Sequence, residues 1–189
     1  MGEDILNQLE NYREYLGLLG RLQLDEKLLG KVDVSGIIQV TFWEAARGDW
    51  SKLESTERLP WLRRVFANNL LDEIRKFRTQ ARDVEREKSL EWAIEQSASR
   101  LNQWLVCTGS SPSQHAMRAE VELRLAKALA CLPESQRRAI ELHYLQSWPL
   151  DRIGEHMKRT SGAVAALIYR GTTRLRELLT DVDGGMDGI

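Results

Sequence analysis

Three histidines, two cysteines and a scatter of carboxylates are the residues in this 189-residue chain that could carry covalent or proton chemistry. Their spacing argues against it. His115, His143 and His156 stand apart from one another, and no nucleophile motif, phosphate-cradling glycine loop or metal set accompanies them. Glu141 and His143 are too close along one helical stretch to face each other as an acid–base pair. Cys107 and Cys131 form no Cys-x-x-Cys pair, and Cys107 with His115 supplies too few ligands for a structural zinc. The expectation is a protein that is not an enzyme and needs no cofactor and no metal.

The chemistry the sequence does concentrate is positive charge. Net charge is only −1, which speaks against non-specific coating of nucleic acid. Charges screen over about 8 Å at physiological salt, so distribution matters more than the sum. Arg58, Arg63, Arg64, Arg75, Lys76, Arg78 and Arg82 crowd a stretch whose carboxylates are Asp72 and Glu73. Between Glu155 and Glu177 no carboxylate occurs, while Lys158, Arg159, Arg170, Arg174 and Arg176 are positive. Two basic islands therefore sit in an otherwise acidic chain, each a candidate for phosphate.

The elements that must position these islands are helices. Periodicity is helical nearly everywhere, with no period-2 alternation. A first helix is expected from Asp4 to Leu19, with Ile5, Leu9, Tyr12, Leu16 and Leu19 on one face. A second is expected from Val34 to Arg47, N-capped by Asp33. "WSKLESTERL" reads as irregular, and Pro60 takes the first helical position of "PWLRRVFANNLLDEIRKFR". In that helix Leu62, Phe66, Leu70, Ile74 and Phe77 form an apolar stripe. Arg64, Asn68, Arg75 and Arg78 occupy the opposite side, a one-signed face interleaved with amides. From Gln80 the chain turns charge-rich yet keeps Leu90, Ile94, Leu101 and Leu105 at helical spacing, with Trp92 and Trp104 as packing anchors. "CTGSSPSQHA" is the expected hinge. The architecture read from this is all-α: residues 1–82 form one small helical domain, 83–118 a partly helical linker that can dock, and 119–180 a second helical domain. A frayed tail, 181–189, follows. No apolar run approaches the ~20 residues of a membrane span, and the acidic amphipathic N-terminus does not read as a signal peptide, so a cytoplasmic protein without membrane contact is expected.

"PLDRIGEHM-KRT-SGAVAALIYRGTTRLREL" has the parts of a helix-turn-helix: a short helix, a tight turn, and a longer helix with an apolar inner face. Leu150, Ile153, Met157, Val164, Leu167 and Ile168 would share a core, and Gly154 would let the helices approach. Thr160 and Ser161 lie at the second helix's N-terminus, where free N–H groups favour a phosphate. Ala165, Ala166 and Tyr169 remain outward, flanked by Lys158, Arg159 and Arg170. Alanine can meet a thymine methyl but makes no bidentate bond to a base, so backbone and shape should dominate binding.

Taken in order, three motifs resemble the extracytoplasmic-function (ECF) sigma factors, the small two-domain promoter-recognition subunits of bacterial RNA polymerase. "IIQVTFWEAAR" (Ile37 to Arg47) is similar to region 2.2. "WLRRVFANNLLDEIRK" (Trp61 to Lys76) is similar to regions 2.3 and 2.4. "LACLPESQRRAIELHYLQSWPLDRIGEHMKRTSGAVAALIYRGTTRLREL" is similar to region 4. The resemblance implies that region 2 clamps the β′ coiled coil of core polymerase through Asp33, Ile37, Gln39, Phe42 and Glu44. It implies engagement of the −10 element by Arg64, Asn68, Arg75, Lys76 and Arg78, with "SKLESTERL" at the place of a base-capturing loop. Region 4 would meet the β flap and read the −35 element through Lys158, Arg159, Thr160, Ser161, Ala165, Ala166, Tyr169, Arg170 and Arg174. A partner anti-sigma factor is a further family expectation. Here Gly36 and Val40 stand where the family has carboxylates, and Lys158 stands at its turn glycine.

Two other readings exist. A stand-alone helix-turn-helix regulator accounts for the last sixty or so residues but not for the aromatic-basic helix after Pro60. A helical adaptor for an acidic protein partner accounts for the basic faces without any base contact. The near-neutral charge also suggests weak DNA binding by the isolated chain, its basic faces partly hidden by packing of one domain on the other.

Overall fold

The structure is a computed structural model that describes all residues except 1, 25, 78–83, 108–114 and 184–189. The fold is all-α, and no strand occurs among the described residues. Helices α1 (Gly2–Glu10) and α2 (Arg13–Gln23) replace the single first helix expected from the stripe. The break falls at Asn11 and Tyr12, whose N–H groups bond back to Gln8 and Leu9 carbonyls in a tight turn. Tyr12 there meets Trp50 edge-on, with ring centroids 5.5 Å apart. The expected apolar face survives the break, with Leu9, Leu16 and Leu19 fully buried.

After the short α3 (Glu26–Leu29), α4 spans Val34–Arg47 as the sequence predicts. Asp33 sits at its N-cap position but makes no capping hydrogen bond. A 3₁₀ turn, Trp50–Lys52, leads into α5, Ser55–Phe77. Here the expectation of an irregular segment ending at Pro60 is corrected: the helix starts five residues earlier and carries Pro60 inside it. Glu54 begins it, because the Glu57 carboxylate accepts the Glu54 N–H at 3.0 Å, one arm of a capping box. The proline costs the Thr56 carbonyl its helical partner, and Thr56 is solvent-exposed, so water can supply one.

The chain continues through α6 (Val84–Cys107) and α7 (His115–Ala130) to α8 (Glu134–Ile140). Helix α8 runs straight on into a π-helical turn, Glu141–Leu145, before α9 (Leu150–Met157) and α10 (Ser161–Asp183). Helix α10 thus enters the segment expected to fray. Buried side chains of α1, α2, α4, α5, α6 and α7, together with Ile140, Leu145 and Leu175, form one continuous cluster. Ile94, Leu101 and Trp104 of α6 belong to it, so the segment read as a linker packs along its helical stripe. Trp104 stacks on Tyr144 with centroids 4.7 Å apart. Trp92 is no anchor, being 64% exposed. A second cluster, Ala139, Leu142, Ile153, Val164, Leu167 and Ile168, is the core of the helix-turn-helix.

Polar contacts tie the C-terminal helices to α2 and α6. The Gln146 amide donates to the Leu22 carbonyl at 2.9 Å, and Arg100 donates to the Leu145 carbonyl at 2.9 Å. Glu141, in the π turn and only 1% exposed, accepts from Arg21 at 3.3 Å, with Arg137 and Arg138 each at 3.9 Å.

Candidate nucleic-acid interface

The α9–α10 turn is built by three local devices. Gly154 sits where an added Cβ would lie 2.7 Å from the Arg159 carbonyl oxygen, so only glycine lets the turn fold back this closely. Lys158 adopts the left-handed conformation, φ 54 and ψ 47, at the position expected to be strained for a non-glycine residue. Thr160 caps α10, its Oγ1 accepting the Ala163 N–H at 3.2 Å, and the Ser161 hydroxyl bonds the Asp151 carboxylate. Val164, Leu167 and Ile168 face inward, as predicted. Midway along the helix, Gly171 lets α8 close onto α10; a Cβ there would meet Ile140 Cδ1 at 2.6 Å.

The turn offers to solvent cations set beside the exposed Asp151 and Glu155 carboxylates of α9. Lys158, Arg159, Thr160, Ala165, Tyr169 and Arg170 are all exposed, Tyr169 by 72%, and Ala166 is half-buried. Among the described residues, Lys158, Arg159 and Arg170 make no ion pair. Arg174 stands apart from this group: it lies thirteen residues past Ser161, about 20 Å along the axis, and pairs with Glu177 at 2.8 Å. The expectation that interdomain packing hides the basic faces fails here, because this face stays open.

The α5 face differs. Arg64, Asn68, Asp72 and Lys76 are exposed along one line, with Arg75 beside them. It is not one-signed, contrary to the sequence reading, because α5's own Asp72 and Glu73 pair along it and α6 adds Glu91. Arg64 lies 3.3 Å from Glu91 of α6, Arg75 2.9 Å from Asp72, and Lys76 pairs with Glu73. Arg63 turns inward, donating to Glu95 at 2.7 Å and to the Tyr15 hydroxyl at 3.1 Å, with Glu122 at 3.8 Å. Burial works against its charge, but Tyr15 and Glu95 more than offset this and hold its pKa above the ordinary guanidinium value. Burial also pushes the Tyr15 phenol well above its usual range, helped by the Glu122 charge. Nothing in the sequence marked Tyr15 and Glu122 as partners of Arg63. Arg78 lies outside the described residues.

The expected base-capturing loop shrinks, since most of "SKLESTERL" is the 3₁₀ turn and the first turn of α5. Trp50 beside it is 1% exposed and cannot stack on a base as it stands.

On α4 the predicted contact set splits. Gln39 and Glu44 are exposed, as is Asp33 just ahead of the helix. Ile37 and Phe42 are corrections: at 6% and 3% exposure they are core residues, packed in one cluster with Ile38 and Ala45. The exposed apolar groups are instead Val40 at 48% and Trp43 at 54%, with the Arg47 guanidinium 3.5 Å above the Trp43 ring centroid. Glu44 accepts from Asn69 at 3.0 Å. Beside Gly36, Asp33 Oδ2 lies 2.7 Å from where a Cβ would stand, so the Asp33 carboxylate fills the space a side chain at 36 would take.

Among the described residues no helix is long and apolar enough to cross a membrane, and no group of three or more His, Cys, Asp or Glu could hold a metal ion. Residues 122–175 match the family model of sigma-70, region 4. The matched stretch runs from the middle of α7 into α10 and contains the whole turn just described. Over that stretch the chain is similar to sigma-70 region 4.

Proposed function

We propose that this is an ECF-type sigma factor acting by binding alone, with residues 1–82 as its region 2. The observation that carries the reading is a set of exposed cations that make no ion pair among the described residues: Lys158 and Arg159 at the capped N-terminus of α10, and Arg170 further along it. A helix N-terminus and free cations are what phosphates seek, and they set a helix into a major groove. On this reading Lys158, Arg159, Thr160 and Arg170 hold the −35 backbone, and Ala165, Ala166 and Tyr169 face base edges. The exposed Gln39, Val40, Trp43 and Glu44, with Asp33, are the surface offered to the β′ coiled coil. Asn68, Arg75, Lys76 and Arg64 serve the −10 strand. A stand-alone regulator would leave the exposed Val40–Trp43 face and the α5 face without a role.

The reading carries a geometric requirement. Elements named −10 and −35 lie about 25 base pairs apart, roughly 85 Å at 3.4 Å per base pair. A compact chain of this length has a radius of gyration of about 16 Å. The contacts of α2 and α6 with the C-terminal helices must therefore open when both elements are engaged.

The test is binding of the full chain to bacterial core RNA polymerase, followed by run-off transcription from genomic fragments. Binding with discrete new transcripts is expected. Changing Arg75 and Lys76 together to Ala should reduce open-complex formation more than polymerase binding. Failure to bind polymerase with DNA affinity intact would hand the reading to the stand-alone regulator.

A further inference from the structure

Helix α10 presents an outward line of residues that is poor in hydrogen-bonding side chains. Gly162, Ala165, Tyr169 and Thr173 are exposed and recur at three- and four-residue spacing, which puts them on one face. None carries a guanidinium, an amide or a carboxylate, the groups that read guanine, adenine and cytosine in the major groove. The serine and threonine hydroxyls near this line are already engaged, which leaves the Tyr169 phenol as the exposed hydroxyl on it. Ser161 bonds Asp151, Thr160 receives the Ala163 N–H, and Thr173 donates to the Tyr169 carbonyl at 2.9 Å. The unpaired cations Lys158, Arg159 and Arg170 bound the line, where phosphates would fix the helix without adding sequence information.

Such a surface favours one direct reading over hydrogen bonds from the Tyr169 phenol. The thymine C5-methyl is the apolar feature of the major groove, and alanine methyls and aromatic rings are groups that pack on it. We propose that α10 selects its DNA element through thymine methyl groups, with Ala165 and the Tyr169 ring as the residues that meet them. This rests on the sigma-factor reading above and specifies it. Tyr169 suits that contact. Its ring is 72% exposed, and its backbone carbonyl accepts the Thr172 and Thr173 hydroxyls at 3.0 and 2.9 Å, part of a continuous helix. Uracil differs from thymine by this methyl alone, so the proposal can be tested atom by atom.

The full chain bound to bacterial core polymerase selects from a duplex pool with a randomised centre. The enriched upstream element is then resynthesised with uracil for thymine in that element only. The expected result is a thymine-containing element whose retention falls about three- to fivefold for each methyl that is buried. Tyr169→Ala should erase most of that difference, and Tyr169→Phe should keep it, since the ring and not the hydroxyl does the reading. Equal retention of thymine and uracil duplexes overturns the proposal while leaving the sigma-factor reading standing. So does discrimination that survives Tyr169→Ala, or that is lost in Tyr169→Phe. Failure of the complex to form, or to enrich any sequence, defeats the underlying reading and this proposal with it.

Discussion

The two basic surfaces are made of the same residue types and behave as opposites. On α5, Arg63, Arg64, Arg75 and Lys76 each meet a carboxylate, some from α6 and α7. At the α9–α10 turn, Lys158, Arg159 and Arg170 meet none among the described residues. The first surface is internally compensated, and DNA must displace or bypass its partners. The second is open before any DNA arrives. Counting cations along the chain predicts two basic islands, but among the described residues Arg63, Arg64, Arg75 and Lys76 of the first are paired while Lys158, Arg159 and Arg170 of the second are not.

The difference is sharpest at Arg63, where a paired arginine has become part of the interior. Its side chain is 12% exposed and Glu122 beside it is 5% exposed. Arg63→Met keeps much of the volume but takes the guanidinium away from the buried Glu122 carboxylate. Breaking such a pair from one side costs about 3–5 kcal/mol, to be read as a lower midpoint in chemical denaturation. By contrast, Arg159→Met should leave the midpoint within about 0.5 kcal/mol while weakening DNA binding. If the two substitutions destabilised equally, the contrast would collapse.

Tyr15 tests the same cluster through pH. Its folded pKa is raised above the ordinary value of 10.0. The neutral phenol is the form the fold prefers, so its contribution is complete below that value and is lost as pH climbs through the folded pKa. Stability should fall by up to about 1.4 kcal/mol for each pH unit in that window. Tyr12, also raised by burial, adds to the alkaline loss, so the informative quantity is the difference between the protein and Tyr15→Phe. A difference that does not change with pH would remove Tyr15 from the interior account.

The open surface makes its own demand at Lys158, whose φ of 54 is strained for any side chain. Lys158→Gly should raise stability by up to about 1 kcal/mol, since the left-handed region disfavours a Cβ. The same change removes an unpaired cation and should reduce the salt dependence of DNA binding by about one phosphate's worth. A gain in stability with an unchanged salt slope would mean that Lys158 touches no phosphate.

How far these surfaces could be read in advance depended on where the deciding contacts lie. Helix α4 was legible end to end, because its boundaries sit at Asp33 and Gly48 and its apolar spacing is local. The helix-turn-helix was legible for the same reason: Gly154, Thr160 and the Val164 stripe are neighbours in sequence. The start of α5 was missed because Glu54 and Glu57 look like any polar pair until the capping bond is seen. On α4, the inward Phe42 and the outward Trp43 are adjacent aromatics whose orientation depends on what α5 covers. The local part of α5's compensation, Arg75 with Asp72 and Lys76 with Glu73, lay within reach of helical spacing, but Glu91, Glu95 and Glu122 lie 27 to 59 positions away from their arginines and were not.

That long-range compensation yields the smallest effect and the most direct comparison. Arg64 and Glu91 are both solvent-exposed to a large degree, 71% and 46% by side chain, and 3.3 Å apart. A pair of this kind is worth about 0–1 kcal/mol, so Glu91→Gln should leave the fold intact. It removes the nearest carboxylate from Arg64 and moves the α5 face one step toward the character of the α9–α10 turn. Binding of the chain to a melted-strand DNA should tighten, at most by about fivefold, and its salt dependence should steepen by about one released counterion. The matched change at Glu177, which pairs with Arg174 far from the turn, should do neither. If both substitutions tighten binding alike, the gain reflects net charge alone and α6 does not screen the α5 face. If only Glu91→Gln does, the helix read as a linker holds the basic surface of α5 in check by placing one carboxylate against it.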